Sequence, residues 1–148
     1  KGRGIVIADN GRLLGVDYGQ ARIGLAISDP TGLIATPLKA IETMGSEDAG
    51  NVAEVARANE ARGIVVGLPL SLDGSHGPAA RKVTAFCGRL RKETDLPVYT
   101  CDERMTTVEA HSLLKDAGKS PSRARGVARG EIDSASAAII LDIYIQSN

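Results

Sequence analysis

The stretch Leu13-Leu14-Gly15-Val16-Asp17-Tyr18-Gly19, running on to Arg22-Ile23-Gly24-Leu25-Ala26-Ile27-Ser28, decides how the rest of the chain is read. It has the form of a short apolar strand ending on a carboxylate, a glycine turn, and a second apolar strand, spaced as a hairpin. Burying an ionised aspartate is costly unless a cation, a basic group or water compensates it. Gly15 and Gly19 bracket the acid with residues that let a ligand or another backbone approach. Asp17 is therefore expected to anchor a site.

Working outward, Asp29-Pro30-Thr31-Gly32 is a turn, and Leu33–Ile41 reads as a third strand that Pro37 confines to a sheet edge or breaks. The period then changes. Val52, Val55, Ala56 and Ala58 are helically spaced within Ser46–Arg62, with Ser46 as N-cap and Gly63 as the stop. Ile64–Pro69 is a continuous apolar run typical of a strand buried on both faces. A polar loop, Ser71–Gly77, opens a helix over Pro78–Glu93, and Pro97–Cys101 is a further strand ending at Asp102-Glu103-Arg104. Thr106-Thr107-Val108-Glu109 matches a capping box, Lys119–Gly130 reads as a basic loop, and a last helix spans Glu131–Ile145 with Ile132, Ala135, Ile139 and Ile143 on one stripe. The sum is an α/β domain: a three-strand antiparallel meander, then βαβαβ, giving a mixed five-stranded sheet with helices on its faces.

Composition narrows the functions available. The chain has 148 residues, 43% hydrophobic and 24% charged, with no Trp and a formal net charge of zero. That is one domain's worth of core, assigned here to 13–146, with 1–12 as an extension. Sparse aromatics argue against base-stacking platforms, and zero net charge means that any nucleic-acid surface is local. Cys87 and Cys101 lack metal-ligand or CxxC spacing and read as reduced, buried thiols. No apolar run nears the roughly 20 residues of a membrane span, and no signal peptide is visible, so a cytoplasmic protein with no membrane partner is expected.

Three acids stand out by position: Asp17 ending the first strand, Glu103 ending the last, and Asp133 opening the apolar final helix. Taken singly, each is also what a turn or a helix start favours. If the first and last strands lie side by side, Asp17 and Glu103 point to one edge, and a helix packed there brings Asp133 to them. Carboxylates converging without thiols or paired histidines are the ligands of a hard cation, Mg²⁺ or Mn²⁺. Such a site can activate water and hold the non-bridging oxygens of a phosphodiester for in-line attack.

Gly15-Val16-Asp17-Tyr18-Gly19 with Arg22 and Gly24 is followed in order by Ala35-Thr36-Pro37-Leu38, Val66-Gly67-Leu68-Pro69 and Asp73-Gly74-Ser75. Asp102-Glu103-Arg104-Met105-Thr106-Thr107 and Ile132-Asp133 complete the series. The series resembles the YqgF (RuvX) family over about Leu13 to Tyr144, departing at Met105, where leucine is usual. The resemblance implies an RNase H-like fold and a metal-dependent nuclease that matures the 5′ end of pre-16S ribosomal RNA. The same family has been described as Holliday-junction resolvases. Its catalytic and metal-binding acids map onto Asp17, Glu103 and Asp133, and the glycines beside Asp17 then become clearance for a metal and a scissile phosphate.

The expected partner is nucleic acid, either structured RNA such as pre-rRNA or branched DNA, and the chain acts as a monomer or homodimer. Arg22 is placed to orient Asp17 or hold a phosphate, or to relieve Asp17 by a salt bridge. Ser75, in a loop before a helix N-terminus, can add a hydroxyl to an anion site. Arg123, Arg125 and Arg129 are expected to grip the phosphate backbone, whereas His76 reads as a solvated loop residue. Two other readings share these features. Asp-x-Gly before a glycine hairpin resembles the first phosphate loop of actin-like and sugar-kinase ATPases, which need two such domains. A non-catalytic assembly factor would need no converging acids.

Overall fold

A computed structural model of the chain describes residues 11–71, 73–103 and 129–147, with side chains in the last segment described from Ser134 onward. The elements are β1 (Arg12–Tyr18), β2 (Arg22–Ser28), β3 (Ala35–Glu42), α1 (Asp48–Ala58), β4 (Ala61–Leu68), α2 (Pro78–Glu93), β5 (Val98–Asp102) and α3 (Arg129–Ser147). The capping-box helix expected from Thr106 and most of the basic loop, including Arg123 and Arg125, lie outside the described residues. Arg129 and Gly130, expected in that loop, already belong to α3.

The five strands order as β3-β2-β1-β4-β5. β1 pairs antiparallel with β2, and β2 with β3, while β1, β4 and β5 run parallel. This is the mixed sheet expected, with Pro37 on an edge strand where its missing N–H costs no central ladder bond. The first and last strands do not lie side by side, the condition under which Asp17 and Glu103 were to share an edge: β4 lies between β1 and β5. The crossover through α1 carries the chain from β3 at one edge past β2 and β1 to β4, and the crossover through α2 moves it one strand further, to β5.

Strand alternation divides β1 between two cores. Leu14 and Val16 face α1 and α2, joining Ile23, Leu25, Ile64, Phe86 and Leu90 in a fully buried cluster. Tyr18 continues that face and stacks on Phe86, ring centroids 4.3 Å apart. Its hydroxyl donates to the buried Asp48 carboxylate at 2.9 Å, which also accepts from the backbone N–H of Met44 and Gly45. The N-cap expected at Ser46 is not formed: the residue preceding α1 is Glu47, without a side-chain cap, and the Asp48 carboxylate instead ties the helix start to the loop before it. The helix also ends before Gly63, at Ala58, where Glu60 takes φ +57°.

On the other face α3 lies across β3, β2 and β1 and reaches β4 and β5. Its buried residues are Ser134, Ala137, Ile139, Ile140 and Leu141, with Ile143 packed beside them, so Ile139 and Ile143 of the expected stripe do pack, Ala135 is only half-buried, and the Ile132 side chain lies outside the described ones. A helix apolar on most sides carries no phase signal, so its facing surface is chosen by fit. The fit is at Gly15, where an added Cβ would stand 2.8 Å from the Ala137 carbonyl oxygen and 2.6 Å from Leu141. Gly15 therefore gives clearance to α3, not to a metal or a phosphate. Gly19 is likewise filled: its N–H donates to the Arg22 carbonyl at 3.0 Å in the β1–β2 turn. Cys87 and Cys101 are buried free thiols, one in each core.

Candidate active site

Asp17 is the penultimate residue of β1 and shares the α3 side of the sheet with Leu13 and Gly15. In register it lies opposite Gly24 of β2. On its other side the parallel pairing Val16↔Val66 carries the alignment forward to Gly67 of β4. Both neighbours of the acid are glycines, so the carboxylate stands over a floor without side chains.

Glu103 reaches this floor from the next strand. It follows the last residue of β5, and its N–H donates to the Leu68 carbonyl at 2.9 Å, extending the β4–β5 ladder by one bond. Its side chain crosses above Gly67, where an added Cβ would come within 2.9 Å of both Cγ and Cδ of Glu103 and within 2.5 Å of Ile140. Gly67 is what allows an acid two strands from β1 to approach Asp17. Burial raises the Glu103 carboxyl pKa to about 7, with the negative charges of Asp17 and then Asp102 adding to the rise. Sequence reasoning passed over Gly67, although a glycine inside an apolar strand signals a close approach.

Ser134 is the second residue that sequence reasoning missed. The β2–β3 register slips between Ile23 and Leu25, and the Leu25 N–H donates instead to the buried Ser134 hydroxyl at 3.1 Å. The extra residue of this bulge is on β3, across from Gly24, which itself lies opposite Asp17, and the hydrogen bond fastens the first turns of α3 beside it. A serine among small residues in an apolar helix gave no warning of that role. Asp133 immediately precedes Ser134 in α3; its side chain lies outside the described ones.

The remaining candidates separate. Arg22 starts β2 on the Asp17 side of the sheet, two residues before Gly24. Ser75 is exposed in a tight turn: its N–H donates to the Asp73 carboxylate and its carbonyl accepts from Ser71 N–H, each at 2.9 Å. His76 is exposed, and its carbonyl accepts from the Arg81 guanidinium at 3.2 Å. Among the described side chains no three acids, histidines or cysteines gather as a metal cage; Asp17 and Glu103 form a pair. Two carboxylates held together, one raised to about 7 by burial and its neighbours, suit a divalent cation, which relieves both effects.

Residues 11–147 match the RuvX family, described as Holliday junction resolvase. A relative from Nocardioides sp. strain JS614, named "Putative pre-16S rRNA nuclease", is 43% identical over 134 residues, covering 86% of this chain and 83% of that protein. One of the same name from Roseiflexus sp. strain RS-1 is 36% identical and covers 95% and 97%. Among solved structures, Thermus thermophilus RuvC in complex with a Holliday junction substrate matches with a TM-score of 0.55 at 16% identity, over 93% of this chain and 96% of that one. That likeness shows the fold, which is RNase H-like.

Proposed function

Since the chain belongs to the RuvX family and is by that kinship a nuclease, we propose that it cleaves phosphodiester bonds in maturing the 5′ end of pre-16S rRNA, using Asp17, Glu103 and Asp133. The observation that carries this reading is the Glu103 carboxylate lying over Gly67 toward Asp17, at the C-terminal ends of parallel strands. Ligand sites in open α/β sheets form at those ends.

Asp17 and Glu103 would hold a Mg²⁺ or Mn²⁺ ion, with Asp133 as a third ligand from α3. Such an ion, when bound, supplies Lewis acidity toward phosphate oxygen and water. Asp17 supplies a fixed charge at the end of β1. Glu103 must shed its proton to serve as a ligand, which its pKa of about 7 permits near neutrality. Arg22, on the same side of the sheet, offers a guanidinium to phosphate oxygens. Ser75 offers a hydroxyl, and Arg123, Arg125 and Arg129 engage the backbone of a structured RNA. No helix among the described residues is long and apolar enough to cross a membrane.

The test is cleavage of a pre-16S rRNA 5′ fragment, with a four-way DNA junction alongside, in Mg²⁺ and in Mn²⁺. Asp17→Asn and Glu103→Gln are expected to lose at least a hundredfold in rate, about the scale of removing one key electrostatic group, with the fold retained by circular dichroism. Undiminished metal-dependent cleavage by Asp17→Asn would overturn the assignment. Cleavage of the junction alone would overturn the choice of RNA.

A further inference from the structure

Beside the acid pair, and on the α2 side of the sheet, lies a groove of about 660 Å³ between the β1–β2 turn and the first turns of α2. We infer that it holds one unpaired nucleotide of the substrate strand, next to the scissile phosphate, with Gln20 reading the base edge and Lys82 holding its phosphate. This rests on the nuclease reading and deepens it, assigning a subsite that the acids themselves do not require.

Position comes first. One wall begins at Tyr18, the residue after Asp17, and the opposite side includes Pro69, two residues after Gly67. Successive strand residues are ~3.3 Å apart and face opposite sides of the sheet. A nucleic-acid strand with a phosphate at Asp17 therefore meets the groove as soon as it passes over the end of β1.

Shape and chemistry come second. The volume falls in the range of about 300–1,000 Å³ typical of small-ligand pockets. Pro69 and Pro78 give flat apolar surfaces for a base, and the exposed Gln20 amide both donates and accepts hydrogen bonds. Lys82 stands one turn along α2 from Pro78, and no carboxylate lines the groove among the described residues, so its charge suits a phosphate. Neighbouring cations on α2 are engaged elsewhere: Arg81 donates to the His76 carbonyl and Arg91 to that of Val98.

The walls are also held in place. Gly19 N–H donates to the Arg22 carbonyl, and the Thr43 hydroxyl donates to the Gly19 carbonyl at 2.8 Å. Tyr18 is pinned by its stack on Phe86 and its bond to Asp48. Unpaired bases splayed into such pockets are the usual targets of protein recognition in RNA.

The experiment uses the full chain and a fluorescein-labelled single-stranded RNA octamer, with an abasic residue moved along it one position at a time. Anisotropy gives the affinity of each probe. One abasic position is expected to weaken binding about tenfold, the scale of losing one base contact. Ala79→Trp, at an exposed site that fills the groove, is expected to bind the intact octamer about tenfold more weakly and to lose nothing further at that position. Lys82→Ala should weaken binding and reduce the salt dependence by about one phosphate's worth. A flat abasic profile, or wild-type affinity in Ala79→Trp with its fold confirmed by thermal melting, would overturn the subsite. So would competition by free uridine monophosphate that leaves octamer binding unchanged. A single sensitive position in a wild-type protein that cleaves nothing would support the groove while counting against the nuclease reading.

Discussion

Glu103 is the residue whose state is most dependent on its surroundings. Its folded pKa, about 7, lies above the ordinary value near 4.3 that it takes when unfolded. The folded state therefore binds a proton that the unfolded state has lost between those values, and stability falls as pH rises through that window. The metal-free protein is expected to melt at a higher temperature at pH 5 than at pH 8, and Glu103→Gln to flatten that difference. A divalent cation competes with the same proton, so its affinity should climb with pH up to about 7 and level off above. Asp17→Asn removes the first-named charge next to Glu103 and should lower the Glu103 pKa, which carboxyl-carbon NMR titration reads directly. A Glu103 titration unmoved by Asp17→Asn would mean that the two acids do not share a site. At this scale Asp17 and Glu103 were legible as strand-end acids, because ending an apolar run on a charge is expensive without a partner. Nothing local to either residue revealed that a glycine on a third strand lets them meet.

Between elements, the decisive contacts are those of α3 with the glycines beneath it. Gly67→Ala puts a methyl 2.5 Å from Ile140 and 2.9 Å from the Glu103 side chain. Overpacking of this kind costs about 1–3 kcal/mol, readable in urea denaturation. Ile140→Ala in the same chain relieves the apolar clash but not the displaced carboxylate. The double variant should therefore keep a weakened metal affinity by calorimetry, compared with Ile140→Ala alone. Equal affinities in those two proteins would mean that Gly67 serves packing only. The helical period located α3 and two of its packed residues, Ile139 and Ile143, but not Ser134, Ala137 and Leu141, which make its close contacts with the sheet. Ala137 and Leu141 meet β1 because Gly15 leaves room for them, and Ser134 is drawn to a Leu25 N–H that the bulge across from Gly24 leaves unmet by β3. Both choices depend on partners more than 100 residues away in sequence.

For the molecule as a whole, a chain of zero net charge must concentrate its cations to hold a polyanion. Arg123 and Arg125, between β5 and α3 in sequence, and Arg129, the first residue of α3, are proposed as that concentration. Replacing all three by alanine is expected to reduce the slope of log affinity against log salt by about two to three for a structured RNA. An unchanged slope would remove them from the interface.

The sequence by itself determined the described elements and the meander followed by parallel units, and it held β3 to an edge or a break, because periodicity, turn residues and Pro37 act locally. It also singled out Asp17, since an acid ending an apolar strand between glycines announces a site. The tertiary structure decided the rest. It set β4 between β1 and β5, so Asp17 and Glu103 meet across a strand and not along a shared ladder. It assigned Gly15 to helix packing and gave Gly67 the clearance that Gly15 had been expected to provide. The reason is physical: close approach is a property of two surfaces, and a glycine in one strand does not specify which surface will come to it.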